Sequence, residues 1–109
     1  MAVDIKKMFN EELPASLAKN AEDARTIGAK FQLCIGGEGE WFIDVTDAGP
    51  VCRAGTEEAD CTLSIEAEDF QQLMENPQAN GMTLFFAGKL KVAGNQMLAM
   101  KLPKLFSYT

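Results

Sequence analysis

The period of the apolar residues changes several times along the chain, and each change marks an element. Ile5, Met8, Phe9 and Leu13 recur at helical spacing, with Asp4 placed to favour the first turn through the helix dipole. Pro14 suits the first turn of a second helix, in which Leu17, Ala18, Ala21 and Ala24 form an apolar stripe and Lys19, Asn20, Glu22 and Asp23 stay wet. After Gly28 the period becomes two. Phe31, Leu33 and Ile35 alternate against Lys30, Gln32 and Cys34. Beyond the turn Gly36-Gly37-Glu38-Gly39, Trp41, Ile43 and Val45 alternate against Phe42, Asp44 and Thr46, which predicts a hairpin. Val51-Cys52-Arg53 is a weaker edge strand, since Pro50 cannot donate to a ladder. Cys61, Leu63 and Ile65 then alternate against Thr62, Ser64 and Glu66, and the four strands together predict a small meander.

Helical period returns with Phe70, Leu73 and Met74, where Glu66, Glu68 and Asp69 place negative charge at the helix start and Asn76-Pro77 ends it. Ala79, Met82, Phe85 and Phe86 continue at helical spacing up to a cap glycine, Gly88. Leu90 and Val92 alternate against Lys89 and Lys91 as a fifth strand. Gly94-Asn95 turns the chain into a last helix with Met97, Leu98, Met100 and Leu102, which Pro103 interrupts or restarts. The order predicts an α+β fold, a five-stranded, mostly antiparallel sheet with segregated helices. No repeat or linker divides residues 1–109, which are expected to form one domain.

Charge and composition narrow the function. Sixteen acidic against ten basic residues give a formal net charge of -6, the wrong sign for nucleic acid. No apolar run approaches a membrane span and the N-terminus lacks a secretory segment, so a cytoplasmic protein is expected. The sequence has no histidine, which removes the commonest general base and metal ligand, and its three cysteines, Cys34, Cys52 and Cys61, are too scattered for a metal site or a disulfide framework. No metal, cofactor or catalytic residue is expected. Cys61 reads as a small inward-facing hydrophobe, Cys34 and Cys52 as residues of the opposite or edge faces.

From Asp60-Cys61-Thr62-Leu63-Ser64-Ile65 onward, the ordered set Asp69-Phe70, Leu73-Met74, Asn76-Pro77-Gln78, Phe85-Phe86, Gly88-Lys89-Leu90-Lys91-Val92, Gly94-Asn95 and Leu98-Ala99-Met100-Lys101-Leu102 resembles the sterol carrier protein type 2 family. Trp41 and Asp44 match the family's second strand more loosely, and the N-terminal helices match in pattern alone. The resemblance implies a five-stranded sheet covered by helices and enclosing a hydrophobic tunnel that takes a fatty acid, acyl-CoA, sterol or phospholipid. A monomer or weak dimer with at most transient membrane contact is expected. Candidate tunnel residues are Phe31, Leu33, Trp41, Ile43, Leu63, Ile65, Phe70, Met74, Met82, Phe85, Phe86, Leu90, Val92, Met97, Leu98, Met100, Leu102 and Phe106.

Each feature also has a plainer explanation. Six methionines, most of them in the C-terminal third, suit a wall that repacks around varied ligands, and equally suit gap-filling in a core. Lys89 and Lys91 fit a solvated strand face; with Lys101 or Lys104 they also fit a tunnel mouth that meets a head group. The segment from Gln96 to Phe106 carries more apolar surface than one stripe uses and is expected to be a movable wall. The chain ends Phe106-Ser107-Tyr108-Thr109, unlike a peroxisomal signal, so a free-standing bacterial lipid carrier is expected. The alternatives are a small enzyme or accessory acting on lipid thioesters and a protein-interaction domain with no ligand.

Overall fold

The computed structural model describes residues 4–107, apart from the side chains of residues 77, 78 and 102. The N-terminal helical run comprises α1 (Ile5–Lys7), a π-helical turn (Met8–Glu12), α2 (Leu13–Lys19) and α3 (Ala21–Arg25). Asp4 opens it, its Oδ1 accepting from the Lys7 N–H at 3.1 Å. Pro14 stands in the first turn of α2, as expected, but the helical run does not break ahead of it. It has no N–H for the Asn10 carbonyl, and its ring would collide with that carbonyl in a regular α-helix. The ladder widens instead, with the Leu13 N–H bonding the Met8 carbonyl five residues back. The first break falls at Asn20, whose side chain caps the Ser16 carbonyl at 2.8 Å.

The strands are β1 (Lys30–Gly36), β2 (Gly39–Asp44), β3 (Val51–Ala54), β4 (Cys61–Glu66) and β5 (Leu90–Gly94), in the order β3-β2-β1-β4-β5. Three pairings are antiparallel, but β4 lies beside β1 and parallel to it, so the expected four-strand meander ends after β3. The cause is the connection after Ala54, which returns across the outer face of the sheet. There Gln32 donates to the Gly55 carbonyl at 3.0 Å and accepts from the Glu57 N–H at 2.9 Å, and the Asp60 N–H reaches the Lys30 carbonyl at 3.0 Å. Gln32 and Phe42, polar-face positions by alternation, are thereby covered, with the Arg53 guanidinium 5.5 Å from the Phe42 ring centroid.

Register aligns the inner face in rows. Cys52, Ile43, Phe31 and Cys61 form one, Trp41, Leu33, Leu63 and Val92 a second, and Ile35, Ile65 and Leu90 a third. Helices α4 (Ala67–Glu75), α5 (Pro77–Phe86), a 3₁₀ helix (Gln96–Lys101) and α6 (Leu102–Phe106) complete the chain, and one apolar cluster joins the inner face to the helices. Gly94 is the pivot into the 3₁₀ helix. Its φ of +84° suits glycine, and a Cβ there would lie 2.6 Å from the Asp60 carbonyl oxygen.

Candidate functional site

Between the sheet and the helices stands an aromatic wall. Phe9 stacks on Trp41 with ring centroids 4.8 Å apart, Phe70 meets Phe9 at 5.6 Å, and Phe106 contacts Phe70 edge-on at 5.6 Å and Phe9 at 6.3 Å. Four separate elements supply these rings. The π-helical turn makes this possible, since it aims Phe9 at the sheet and Asn10 at Trp41, whose indole N–H donates to Asn10 Oδ1 at 2.9 Å. The Phe9 carbonyl, which would face Leu13 in an α-helix and Pro14 in a π-helix, accepts instead from the Cys52 thiol at 3.3 Å. Cys52, on the edge strand β3 as expected, turns its half-buried side chain inward. Cys61 is buried on the inner face, as expected, and Cys34 lies on the outer one.

The predicted site residues divide into three groups. Phe31, Leu33, Trp41, Ile43, Leu63, Ile65, Phe70, Leu90 and Phe106 are buried and face the interior, and Met74, Val92 and Leu98 are half-buried at its margin. Met82, Phe85, Phe86, Met97 and Met100 stand on the surface, with Phe86, Met97 and Met100 each more than 70% exposed at 76%, 74% and 73%. Leu102 lies outside the described side chains.

Two local features turn the surface group outward. In α5 the residues facing the fold are Asn80, Gly81 and Leu84: the Asn80 amide donates to the Gln72 carbonyl in the last turn of α4, and Gly81 admits Leu73 at close range. Leu84 is the buried residue, and Met82, Phe85 and Phe86 fall on the other side. Gln96–Lys101 is a 3₁₀ helix, and at three residues per turn Met97 and Met100 eclipse each other and both point to solvent.

The segment expected to be a movable wall is thus held at its end, where Leu105 and Phe106 are buried, while its 3₁₀ portion buries no side chain. Phe9, Ile35, Leu84 and Leu105 belong to the interior and were not among the candidates, and neither was Asn10, an exposed residue whose side chain reaches Trp41. The alternation that named Phe31 and Leu33 extends to Ile35. Leu105 adjoins the candidate Phe106 in α6, while Phe9 and Leu84 needed the π-turn and the setting of α5, which no pattern in the sequence announces.

A groove of about 440 Å³ opens on the outer face among Cys34, Ser64, Glu66, Asp69, Lys89 and Lys91. It is open and of mixed charge, with Lys89 Nζ 3.9 Å from Asp69, and it lies across the sheet from the apolar interior. All three thiols are shifted away from the thiolate form. Burial pushes Cys52 up to about 12, burial and the nearby Glu40 carboxylate raise Cys34 against an opposing Ser64 hydrogen bond, and burial with Asp60 raises Cys61.

The model of the SCP-2 sterol transfer family matches residues 9–107, nearly all of the fold described above. The chain belongs to this family. It is 42% identical to human sterol carrier protein 2 over 102 residues, which is 87% of this chain and 18% of that protein. It is 35% identical to rat hydroxysteroid dehydrogenase-like protein 2 over 91 residues, 80% of this chain and 17% of that one. The chain therefore spans less than a fifth of the length of these relatives. Among solved structures, apo sterol carrier protein 2 from Yarrowia lipolytica superposes with a TM-score of 0.70 at 28% identity, covering 95% of this chain and 84% of that one. The Aedes aegypti protein solved with palmitate shares the fold, with a TM-score of 0.62 at 19% identity over 90% of this chain and 94% of its own. No described helix is long and apolar enough to cross a membrane.

Proposed function

We propose that the chain binds and carries lipids, taking the apolar part of a fatty acid, fatty acyl-CoA, sterol or phospholipid into the space between sheet and helices. Residues 1–109 act as one binding unit, a carrier and not an enzyme, in the cytoplasm, where the three free thiols stay reduced. One observation supports the reading most directly. The two polar side chains buried among the described residues, Gln32 and Asp44, belong to the outer side of the sheet, so the interior offers apolar contact without hydrogen-bond selection. The wall is Phe31, Leu33, Trp41, Ile43, Leu63, Ile65, Phe70, Leu90 and Phe106, with Met74, Val92 and Leu98 at its margin. Room for a ligand comes from displacing α5, which buries Leu84 alone among its described side chains, and the 3₁₀ helix, which buries none.

Burying fourteen methylenes contributes roughly 11 kcal/mol at about 0.8 kcal/mol each, from which association and ordering subtract several kcal/mol. Affinity in the micromolar range follows. Reaction with a lipid thioester has no support from the thiols, each of which is held protonated.

The test uses Trp41, the single tryptophan, which lies in the wall. Titrating a naturally fluorescent fatty acid, cis-parinarate, should quench Trp41 and sensitise the probe. A sixteen-carbon fatty acid should compete and raise the melting temperature, and a six-carbon acid should do neither well. Equal shifts from the two acids would rule out an apolar interior as the binding site.

A further inference from the structure

Of the five asparagines in the sequence, Asn80 alone is followed by glycine. Asn10, Asn20 and Asn95 precede residues that carry a Cβ, and Asn76 precedes Pro77, which has no N–H. Glycine sets no side chain beside its own nitrogen and lets the backbone bend freely, so the nitrogen of an Asn-Gly pair reaches the asparagine side-chain carbon with little hindrance. The fold opposes that approach. Asn80 lies half-buried in α5, its N–H on the Asn76 carbonyl at 2.8 Å and its side-chain amide donating to the Gln72 carbonyl. That carbonyl is one of the last four of α4, which find no partner within their own helix. One side-chain amide is therefore both a reactive group and the polar clasp between α4 and α5. The clasp is on a helix that opens at low cost, since α5 buries Leu84 alone among its described side chains and carries Gly81 in its interior.

We propose that Asn80 is a site of spontaneous deamidation, that opening of α5 sets its rate, and that the product unlatches α5 from α4. In the closed helix the Gly81 nitrogen is held in the helical ladder and the Asn80 amide by Gln72. When α5 opens, the Gly81 nitrogen loses its proton to hydroxide and bonds to Asn80 Cγ. The Cγ–Nδ2 bond breaks, and the side-chain nitrogen takes a proton from water and leaves as ammonia. Water then opens the cyclic imide, giving aspartate if it attacks Cγ and isoaspartate if it attacks the backbone carbonyl carbon. The net change consumes one water and releases one ammonia, with no oxidant or cofactor. Aspartate sets a carboxylate against the Gln72 carbonyl, acceptor against acceptor, at the negative end of the α4 dipole, a loss that its place near the start of α5 offsets only in part. Isoaspartate adds a methylene to the backbone, which the helical repeat cannot take up. Either product puts a negative charge into residues 76–109, where no carboxylate side chain stands. The site thus records how often α5 has been open. The lipid carriage proposed above displaces the same helix, but the modification rests on the Asn80-Gly81 pair and its contact with Gln72.

The whole chain is held in warm, mildly alkaline buffer and followed by peptide mapping, each event adding about one dalton as an amide NH2 becomes OH. Asn80 should convert first among the five asparagines, and about tenfold or more slowly than in the same chain unfolded in urea. Leu84→Ala, which loosens α5, should speed conversion in the folded chain by about fivefold or more. Gly81→Ala should slow it by about tenfold, and its Cβ would stand 3.6 Å from Leu73 Cδ1, an ordinary contact that leaves the fold intact. Asn80→Asp should speed amide hydrogen exchange across α5 by about tenfold and leave the strands unchanged. If Leu84→Ala does not fold, low urea takes its place, and the rate should climb before the strands begin to exchange. Equal rates in the folded and unfolded chain would overturn the proposal, as would earlier conversion of another asparagine. So would a folded Asn80 that stays intact while the unfolded chain converts fully, or an Asn80→Asp chain whose α5 exchanges no faster. Parinarate binding to the unconverted chain decides lipid carriage separately.

Discussion

Residues 5–75 and residues 76–106 are similarly rich in apolar side chains and use them differently. In the first region, strand alternation and the N-terminal helices send nearly every large apolar residue inward, and Phe9, Trp41 and Phe70 lock into contact. In the second, Leu84, Leu90, Leu105 and Phe106 are inside, while larger and more numerous side chains stand outside. Hydrophobicity alone therefore does not decide burial here. In α5 a glycine and an asparagine decide it by letting one face approach α4, and in the 3₁₀ helix the three-residue turn decides it. The first region is a scaffold; the second supplies surface and mobility.

The comparison would break most visibly at Phe9. Phe9→Ala should cost about 3–5 kcal/mol in urea unfolding, since the ring is fully buried in a four-ring cluster; a loss below about 1 kcal/mol would mean that the wall is not packed as described. Within α5 the contrast sharpens: Leu84→Ala should cost about 2–3 kcal/mol by thermal melting, several times more than Phe85→Ala one residue along. If Phe85→Ala were the costlier, α5 would be rotated from its described setting.

A smaller effect comes with alkali. The folded Cys52 thiol is raised to about 12, so above the ordinary thiol pKa the unfolded chain loses a proton that the folded chain keeps. Its contribution is complete below that ordinary value and declines as pH rises through the window up to about 12, by at most about 1.4 kcal/mol per pH unit. Cys52→Ala should flatten the alkaline limb of a stability-versus-pH curve; an unchanged limb would mean that Cys52 is already ionisable when folded. Smallest of all, Met100→Ser should change stability by no more than about 0.5 kcal/mol, because the side chain is surrounded by solvent. A large loss in unfolding experiments would place it in the interior.

Much of the scaffold was legible. Period-two alternation located all five strands and put Phe31, Leu33, Trp41, Ile43, Leu63, Ile65 and Leu90 on the inner face, because a strand has only two faces and one of them was polar. The parallel partnership of β4 with β1 was not legible, since Gln32 has the composition of a wet position and its role in receiving the return of the chain depends on residues more than twenty positions away. The π-turn was hidden for a related reason. Proline announces a disturbance without saying whether the helix will stop, kink or widen. In the C-terminal third, helical spacing was correctly sensed, but Met82, Phe85 and Phe86 made the louder apolar stripe and Leu84 was overlooked.

Pro14 has a consequence for rotation about the helix axis. Each residue of an α-helix advances about 100° around its axis, so one extra residue in a turn resets the azimuth of everything before it relative to everything after. Leu13 and Leu17 point at the sheet from one setting, and Phe9 and Asn10 do so from another. Proline holds that phase difference, because restoring an N–H at position 14 would let the Asn10 carbonyl recapture it and the turn contract. Contraction would swing the Phe9 ring off Trp41 and withdraw Asn10 Oδ1 from the indole N–H, so the single tryptophan of the chain reports the angular setting of its N-terminal helix.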